Sequence, residues 1–400
     1  MRPAYPRPFW VLFAGTLVNR LGMVVLPFLA LFLTSERGLT IPQATLVVGL
    51  YGAGAFSAGF VGGWLSDAVG RRPVLVGSLL GGAALIVALP RAEGLAAIAA
   101  LTFAFGVVSE AYRPAVSASV ADLVPEGQRT RAYALLYWAI NLGVAIGPAL
   151  GGLLAERVGF ASLFLLDGLT MAAYAGIVWA GVPETRPTAS SGAGSSGREA
   201  RAPRRGLATA LRDGHLLALA AVTLAVGVAF QQGFSTLPLV MDGQGLGESV
   251  YGLVIAVNGA VIVVLSLPLA RWAERHVGPG LLAGSVLLIG AGLGAMAWAS
   301  SFWPYAAATA VMTIGEILFI PIMPTLVARR APARLQGTYQ GVYHSGWGLS
   351  KMAGPPLGGL VLAASGATAL WTACFALSAV TALGIGLARL GAPAAARELP

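Results

Sequence analysis

Glu110 and Arg113 stand three residues apart in a run of otherwise apolar or small residues between 94 and 121. On a helix that spacing puts both on one face. In hydrocarbon either charge alone is costly, so the two are expected to face a protein interior or a wet cavity and to pair. A carboxyl held between burial and an arginine takes up or releases a proton when the arginine is displaced, although the same residues would also serve as a permanent structural pair. Glu316 has no basic residue within a helical turn and is the candidate carboxyl that stays protonated in one conformation, unless Lys351 reaches it. Lys351, the only lysine of 400 residues, is expected to contact an anion or respond to protonation, or else to snorkel or balance Glu316. His344 shares roughly one helical face with Lys351 and joins Glu110 and Glu316 as a proton-transfer candidate, with an interior hydrogen-bonding role as the alternative. No second ligand makes it a metal site. Asn19 and Arg20 lie deep in the first apolar run and suggest a cavity or interdomain role, with snorkelling of Arg20 as the alternative, whereas Asp167 is expected near the outer interface. Tyr112, Tyr137, Gln231, Tyr343 and Trp347 are the candidates to line a pocket beside these charges.

The elements that must hold such groups are helices in a bilayer. Hydrophobic residues make up 57% of the chain, charged ones 10%, and the mean hydropathy is +0.78, where a soluble domain would be about a quarter charged. Apolar runs long enough to cross about 30 Å of hydrocarbon recur along the whole length. Twelve are expected, at 9–34, 42–66, 73–91, 94–121, 131–155, 160–181, 214–238, 249–270, 279–299, 301–327, 335–364 and 366–388. The first is far longer than the apolar body of a signal peptide and reads as a span. If both termini share one side, 19 arginines fall on that side against 3 on the other, so the positive-inside rule sets both termini in the cytoplasm. This asymmetry explains the net charge of +9 and leaves no extramembrane basic domain for nucleic acid. The single cysteine, Cys374, excludes an intramolecular disulfide or a cysteine metal cluster.

Residues 183–213, rich in Pro, Gly, Ser and Arg, read as a flexible cytoplasmic linker between an N-terminal bundle at 1–182 and a C-terminal bundle at 214–400. The halves echo each other: Gly147-Pro148-Ala149-Leu150-Gly151-Gly152 recurs as Gly354-Pro355-Pro356-Leu357-Gly358-Gly359, with a glutamate 38 or 39 residues upstream of the proline. The fold class expected is therefore an all-α integral membrane protein with twelve transmembrane helices in two pseudo-symmetric six-helix bundles. The glycines either pack helices closely or form a bend used in gating.

Between the second and third runs stand Gly63, Leu65, Asp67, Gly70, Arg71 and Arg72, which resemble the G-x-L-a-D-r/k-x-G-r/k-r/k signature of the major facilitator superfamily, with Ala68 in place of the basic residue. The resemblance implies that Asp67 and Arg71 brace cytoplasmic closure; in the second half Arg271 stands where Asp67 would, so the clamp there is either weaker or uses Glu274 instead. Gly143, Gly147, Pro148, Gly151 and Gly152 look like the antiporter motif of drug/proton exchangers, and the segment from Arg113 to Tyr133 resembles the twelve-span bacterial multidrug efflux branch without its R-x-x-Q-G form. The functional reading this implies is a proton-coupled exporter of amphipathic molecules working by alternating access; the alternative is a proton-coupled importer of a sugar, organic acid or peptide. It is expected to work as a monomer in the bacterial inner membrane, with no cofactor beyond the proton gradient and no enzymatic activity.

Overall fold

The structure, a computed structural model, describes residues 5–185, 208–276, 278–332 and 335–390. Most of the expected linker at 183–213 lies outside the described residues. Two compact units are present: Met1–Pro187 with Gly233–Gly259 and Pro355–Ala363, and Thr188–Gln232 with Ala260–Gly354 and Ala364–Pro400.

The described chain is all-α, with helices α1 Arg7–Gly22, α2 Val25–Ser35, α3 Ile41–Val69, α4 Arg71–Ala88, α5 Leu95–Glu110, α6 Tyr112–Leu123, α7 Glu126–Val158 and α8 Ala161–Gly181. After the interruption follow α9 Gly214–Ser235, α10 Leu237–Gly243, α11 Glu248–Glu274, α12 Pro279–Ala295, α13 Phe302–Arg330 and α14 Gln336–Leu387. Among the described residues eleven helical stretches are long and apolar enough to cross a membrane. The sequence led us to expect twelve. The difference lies at α14, whose 52 residues run through both of the last two expected spans and are broken at Gly366, where φ is 79° and ψ 178°.

Three of the apolar stretches are each two rods rather than one. Proline has no N–H to give to the carbonyl four residues back and its ring crowds that carbonyl. Pro27, Pro114 and Pro238 therefore disturb the helix at Met23, Glu110 and Phe234, and the breaks fall at Met23-Val24, Ala111 and Thr236. In each case the proline sits in the first turn of the following rod, where no intrahelical N–H bond is needed.

Small residues set the remaining spacing. In the first unit α3 and α5 touch backbone to backbone: a Cβ on Gly54 would lie 2.3 Å from the Phe103 carbonyl oxygen, and one on Gly106 would lie 2.4 Å from that of Tyr51. Only glycine permits that approach. α4 packs on α8, and α1 on α7 and α8. In the second unit α12 packs tightly on α13, where a Cβ on Gly292 would lie 2.5 Å from the Met312 nitrogen.

Two carboxylates tie helix starts at the ends of these bundles. The turn into α4 passes through Gly70 at φ 121° and ψ 161°, a region open essentially to glycine alone. Beyond it Glu184 accepts the Arg71 and Arg72 N–H groups at 2.9 and 3.1 Å, satisfying two orphan donors and meeting the positive end of the helix. Asp213 does the same for α9, accepting the N–H groups of His215 and Leu216 at 3.1 and 3.4 Å. Its carboxylate also takes two bonds from Arg330, at 2.9 and 3.3 Å, and one from the Tyr339 hydroxyl at 3.2 Å. Burial pushes the Asp213 carboxyl up, but the Arg330 bond, the Leu216 N–H and the Tyr339 hydroxyl outweigh it and hold the group below its ordinary range.

Two predictions follow from these ties. Gly70→Ala should destabilise by about 1–3 kcal/mol, the cost of such a backbone conformation, because its Cβ would also lie 2.5 Å from Glu184 Oε2; a fall in the thermal unfolding midpoint of purified protein checks it. Asp213 has a lowered folded pKa, so its stabilisation is present above the unfolded value and disappears as pH falls through the folded one. Asp213→Asn should thus lower the midpoint at pH 7 by no more than about 1 kcal/mol equivalent, as suits a part-exposed pair. The gap from wild type should close below about pH 4.

Candidate functional site

The breaks in the first and fourth stretches meet inside the first unit, and the charged residues sit on them. Arg113, at the start of α6, grips Glu110, the last residue of α5, with Nε to Oε2 at 2.5 Å and Nη2 to Oε1 at 3.1 Å. The two are three residues apart, as the sequence led us to expect, and the turn at Ala111 lets the guanidinium meet both carboxylate oxygens. Tyr51 on α3 donates its hydroxyl to Oε1 at 2.7 Å; the Gly54–Gly106 contact is what brings that ring within reach. Glu110 is buried, with 9% of its side chain exposed, whereas Arg113 is 44% exposed. A charged group near the middle of a span is costly against lipid tails, so this exposed face belongs to water or to a ligand.

Arg20, on the last turn of α1, is buried among the same elements. It donates to the Tyr112 hydroxyl and to the Met23 sulfur, both at 2.8 Å. Tyr112 in turn meets Tyr174 of α8 edge to face, and the Tyr174 hydroxyl lies 3.1 Å from that of Thr16. Asn19 is buried beside Arg20. Asn19, Arg20, Glu110, Tyr112 and Arg113 are thus gathered in one place. The expectation for Asp167 was wrong. It is only 3% exposed, reaches the α1–α2 break from α8, and accepts the N–H of Val25 at the start of α2. Depth along a helix, counted from its end, says nothing about which way the residue faces. Tyr51 and Ser109 complete the set, and neither was singled out from sequence.

The glycines of the GPxxGG helix explain how Arg20 is held. A Cβ on Gly143 would lie 2.4 Å from Arg20 Cβ, and Gly147 approaches the Arg20 and Leu21 carbonyls. Gly151 accommodates Val24 and Phe28 beyond the break, while the Pro148 carbonyl and Gly152 lie against Gly252 and Glu248 of α11. This face of α7 is therefore a packing surface for α1, α2 and α11.

In the second unit Tyr343 accepts the Trp347 indole N–H at 3.2 Å, and Phe230 meets Trp347 edge to face. The second-half glycine contact is made partly by a residue the sequence reading passed over. Gln232, one position beyond the expected Gln231, donates to the Gly354 carbonyl at 2.9 Å and is buried; Gln231 places its Cβ beside Gly354. Pro355 is buried within α14, Glu316 is buried on α13, and Lys351 is half-buried on α14. His344 is exposed, its ring 4.7 Å from that of Tyr343. Tyr137 is exposed on α7.

At the signature loop Arg71 reaches Asp122 of α6 at 3.2 Å and the Ser66 carbonyl at 3.2 Å. Arg72 donates to the Trp179 carbonyl and stacks 4.5 Å over its ring. Gly63 and Asp67 lie on α3 and Glu274 on α11, the last two with side chains outside the described set. Among the described residues no group of three or more His, Cys, Asp or Glu side chains is arranged to hold a metal ion.

Comparison with known proteins agrees with this architecture. The chain is 28% identical over 387 residues to an uncharacterised MFS-type transporter, YqjV, of Bacillus subtilis, covering 94% of this chain and 91% of that one. It is 28% identical to the multidrug resistance protein MdtH of Aeromonas hydrophila over 88% of this chain and 86% of that protein. Among solved structures, the peptide transporter POT in complex with sulfate superposes with a TM-score of 0.76 at 18% identity, over 96% of this chain and 95% of that one, a likeness of fold. The Major Facilitator Superfamily pattern matches residues 12–275 and 235–399, and the chain, a multi-pass α-helical membrane protein, belongs to that superfamily of transporters.

Proposed function

We propose that this chain is a proton-coupled secondary transporter of a small molecule, with Glu110 as the proton-binding carboxyl and Arg113 as the group that meets the substrate. The observation that carries the reading is the unequal exposure of the pair: the Glu110 side chain is buried, whereas the Arg113 side chain that grips it is half-exposed. A neutral carboxyl keeps one oxygen as an O–H and no longer accepts two bonds from a guanidinium. Protonating Glu110 therefore loosens Arg113, which becomes free for an anionic group on the substrate. Proton and substrate then favour each other's binding, the linkage that symport requires. By reciprocity the substrate also promotes protonation.

Uptake takes the lead over export on this ground. With Glu110 protonated, Arg113 offers a carboxylate or a zwitterion a partner that a lipophilic cation cannot use. A solved neighbour in fold is a peptide transporter. Export of amphipathic drugs, the first expectation from sequence, keeps one specific support in the multidrug resistance protein among the relatives and would need the substrate to compete with the proton for Glu110. The proposal includes twelve crossings, with α14 counted as two at Gly366, six on each side of the 183–213 linker, and alternating access between the halves. It includes a bacterial inner-membrane location with both termini in the cytoplasm, a monomeric working unit, and bracing of closure by Asp67, Arg71 and Arg72. The GPxxGG helices, with Pro148 and Pro355, are assigned the gate. Glu316, His344 and Lys351 are assigned to proton transfer and charge pairing in the second half, with Tyr343 and Trp347 as the pocket wall.

The test is transport in proteoliposomes with an imposed proton gradient, using radiolabelled dialanine and, separately, ethidium. Gradient-driven dialanine accumulation should fall at least tenfold in Glu110→Gln while exchange without a gradient persists. Arg113→Lys should raise the dialanine KM, because an ammonium cannot reproduce the two-pronged contact. Gradient-driven ethidium movement without dialanine uptake would establish export instead. Full gradient-driven transport in Glu110→Gln would remove Glu110 from the coupling role.

A further inference from the structure

Behind the Glu110–Arg113 pair is a small cavity, about 20 Å³, lined by residues that include Asn19, Arg20, Ser109, Glu110, Tyr112 and Asp167. Four of these carry a buried side-chain atom with no hydrogen-bond partner: Asn19 Oδ1, Arg20 Nε, Ser109 Oγ and Asp167 Oδ2. Their residues are 3–7% exposed. An unpaired buried polar atom costs about 1–3 kcal/mol, and four around one void indicate an occupant. The volume suits one water, which needs about 10–15 Å³ and two to four polar partners. Chemistry narrows it further. Two of the four atoms accept, one donates as N–H, and the serine hydroxyl does either, so a water giving both protons to Asn19 and Asp167 and accepting from Arg20 and Ser109 satisfies all of them. A bare cation would face the Arg20 N–H.

The charges around the cavity make that water more than a filler. Two arginines and two carboxylates occupy the region, and Arg113 takes both oxygens of Glu110. Arg20, which donates to a sulfur and a phenol, then has Asp167 as the carboxylate that shares its cavity. The other groups facing Asp167 and Arg20 are neutral: the Val25 N–H from α2, Ala83 and Val87 of α4 beside Gly168, Gly143 from α7, and the tyrosines Tyr51, Tyr112 and Tyr174.

We propose that one buried water joins Asp167 to Arg20, Asn19 and Ser109, and that Asp167 is a second proton-exchanging carboxyl of the transport site, linked to Glu110 through Arg20 and Tyr112. The inference rests on the proton-coupled reading for its purpose, but its chemistry stands apart from direction and substrate. A proton arriving on Asp167 removes the counter-ion of Arg20, whose hydroxyl partner Tyr112 is the neighbour of both Glu110 and Arg113. The two carboxyls are thereby coupled, and a change at one is felt at the other.

The experiment is a pH-difference infrared spectrum of the full-length protein in lipid nanodiscs, in light and heavy water, with no transported molecule present. A protonated-carboxyl C=O band should be lost in Asp167→Asn and retained in Glu110→Gln, with its pH midpoint moved in the latter. Ser109→Ala, which takes away one donor to the water and adds no bulk, should move the midpoint of the same band without abolishing it. This variant keeps the test valid should Asp167→Asn prove unstable. A spectrum indifferent to Asp167→Asn in folded protein, or a midpoint unmoved by Ser109→Ala, overturns the proposal. So would a thermal midpoint raised by sodium or potassium ions in the wild type and not in Asp167→Asn, which would put a cation in the cavity. A dead transport assay in Glu110→Gln with an intact Asp167 band bears on the transport reading alone, so the two failures are distinguishable.

Discussion

Hydrocarbon does not solvate charge, and everything at the centre of the first unit answers to that constraint. Arg20, Arg113, Glu110 and Asp167 are tolerated there because two positive and two negative groups sit within one set of helices and the polar side chains around them supply hydrogen bonds. Glu110 receives three donors, from Arg113 and Tyr51. The Ala111 break turns Arg113 back onto Glu110, and the α3–α5 glycine contact draws Tyr51 in. Sequence features that look structural therefore do chemical positioning.

The two units solve different problems with related sequence. In the first, the GPxxGG face of α7 receives α1 and α2 and so fixes Arg20 in place. In the second, the first glycine of the corresponding motif, Gly354, accepts from the Gln232 amide. A repeat in sequence has become a repeat in packing, while the polar groups that accompany it have diverged.

Much of this was open to reading before the structure, and the exceptions are instructive. Charges within apolar runs are conspicuous because the bilayer makes them rare, so Glu110, Arg113 and Arg20 all stood out, though nothing in the sequence joined Arg20 to the other two. Asp167 was misplaced because hydropathy reports distance along a span and not the direction a side chain takes around it. Gln232 was missed in favour of Gln231 for a related reason: one residue turns a helix by about 100°, and an apolar segment gives no phase. Composition put a boundary between the last two expected spans at 364–366, and the structure has its break in α14 at Gly366 within one long helical stretch. The breaks at Met23-Val24, Ala111 and Thr236 escaped notice because the hydrophobic runs pass over them; the prolines that cause them were in view without a sign of which would kink and which, like Pro148 and Pro355, would be absorbed.

A stretch made of two rods has a fulcrum, and in this chain the ionisable residues stand on it. α6 is 12 residues long, roughly 18 Å. Tilting it by about 10° about Ala111 displaces the far tip by about 3 Å, where Asp122 meets Arg71, yet leaves Tyr112 and Arg113 almost where they were. The charged centre and the loop at the end of the bundle are thus ends of one lever. By geometry alone, a turn too small to shift the charged centre is felt as a displacement of a few ångströms at the loop.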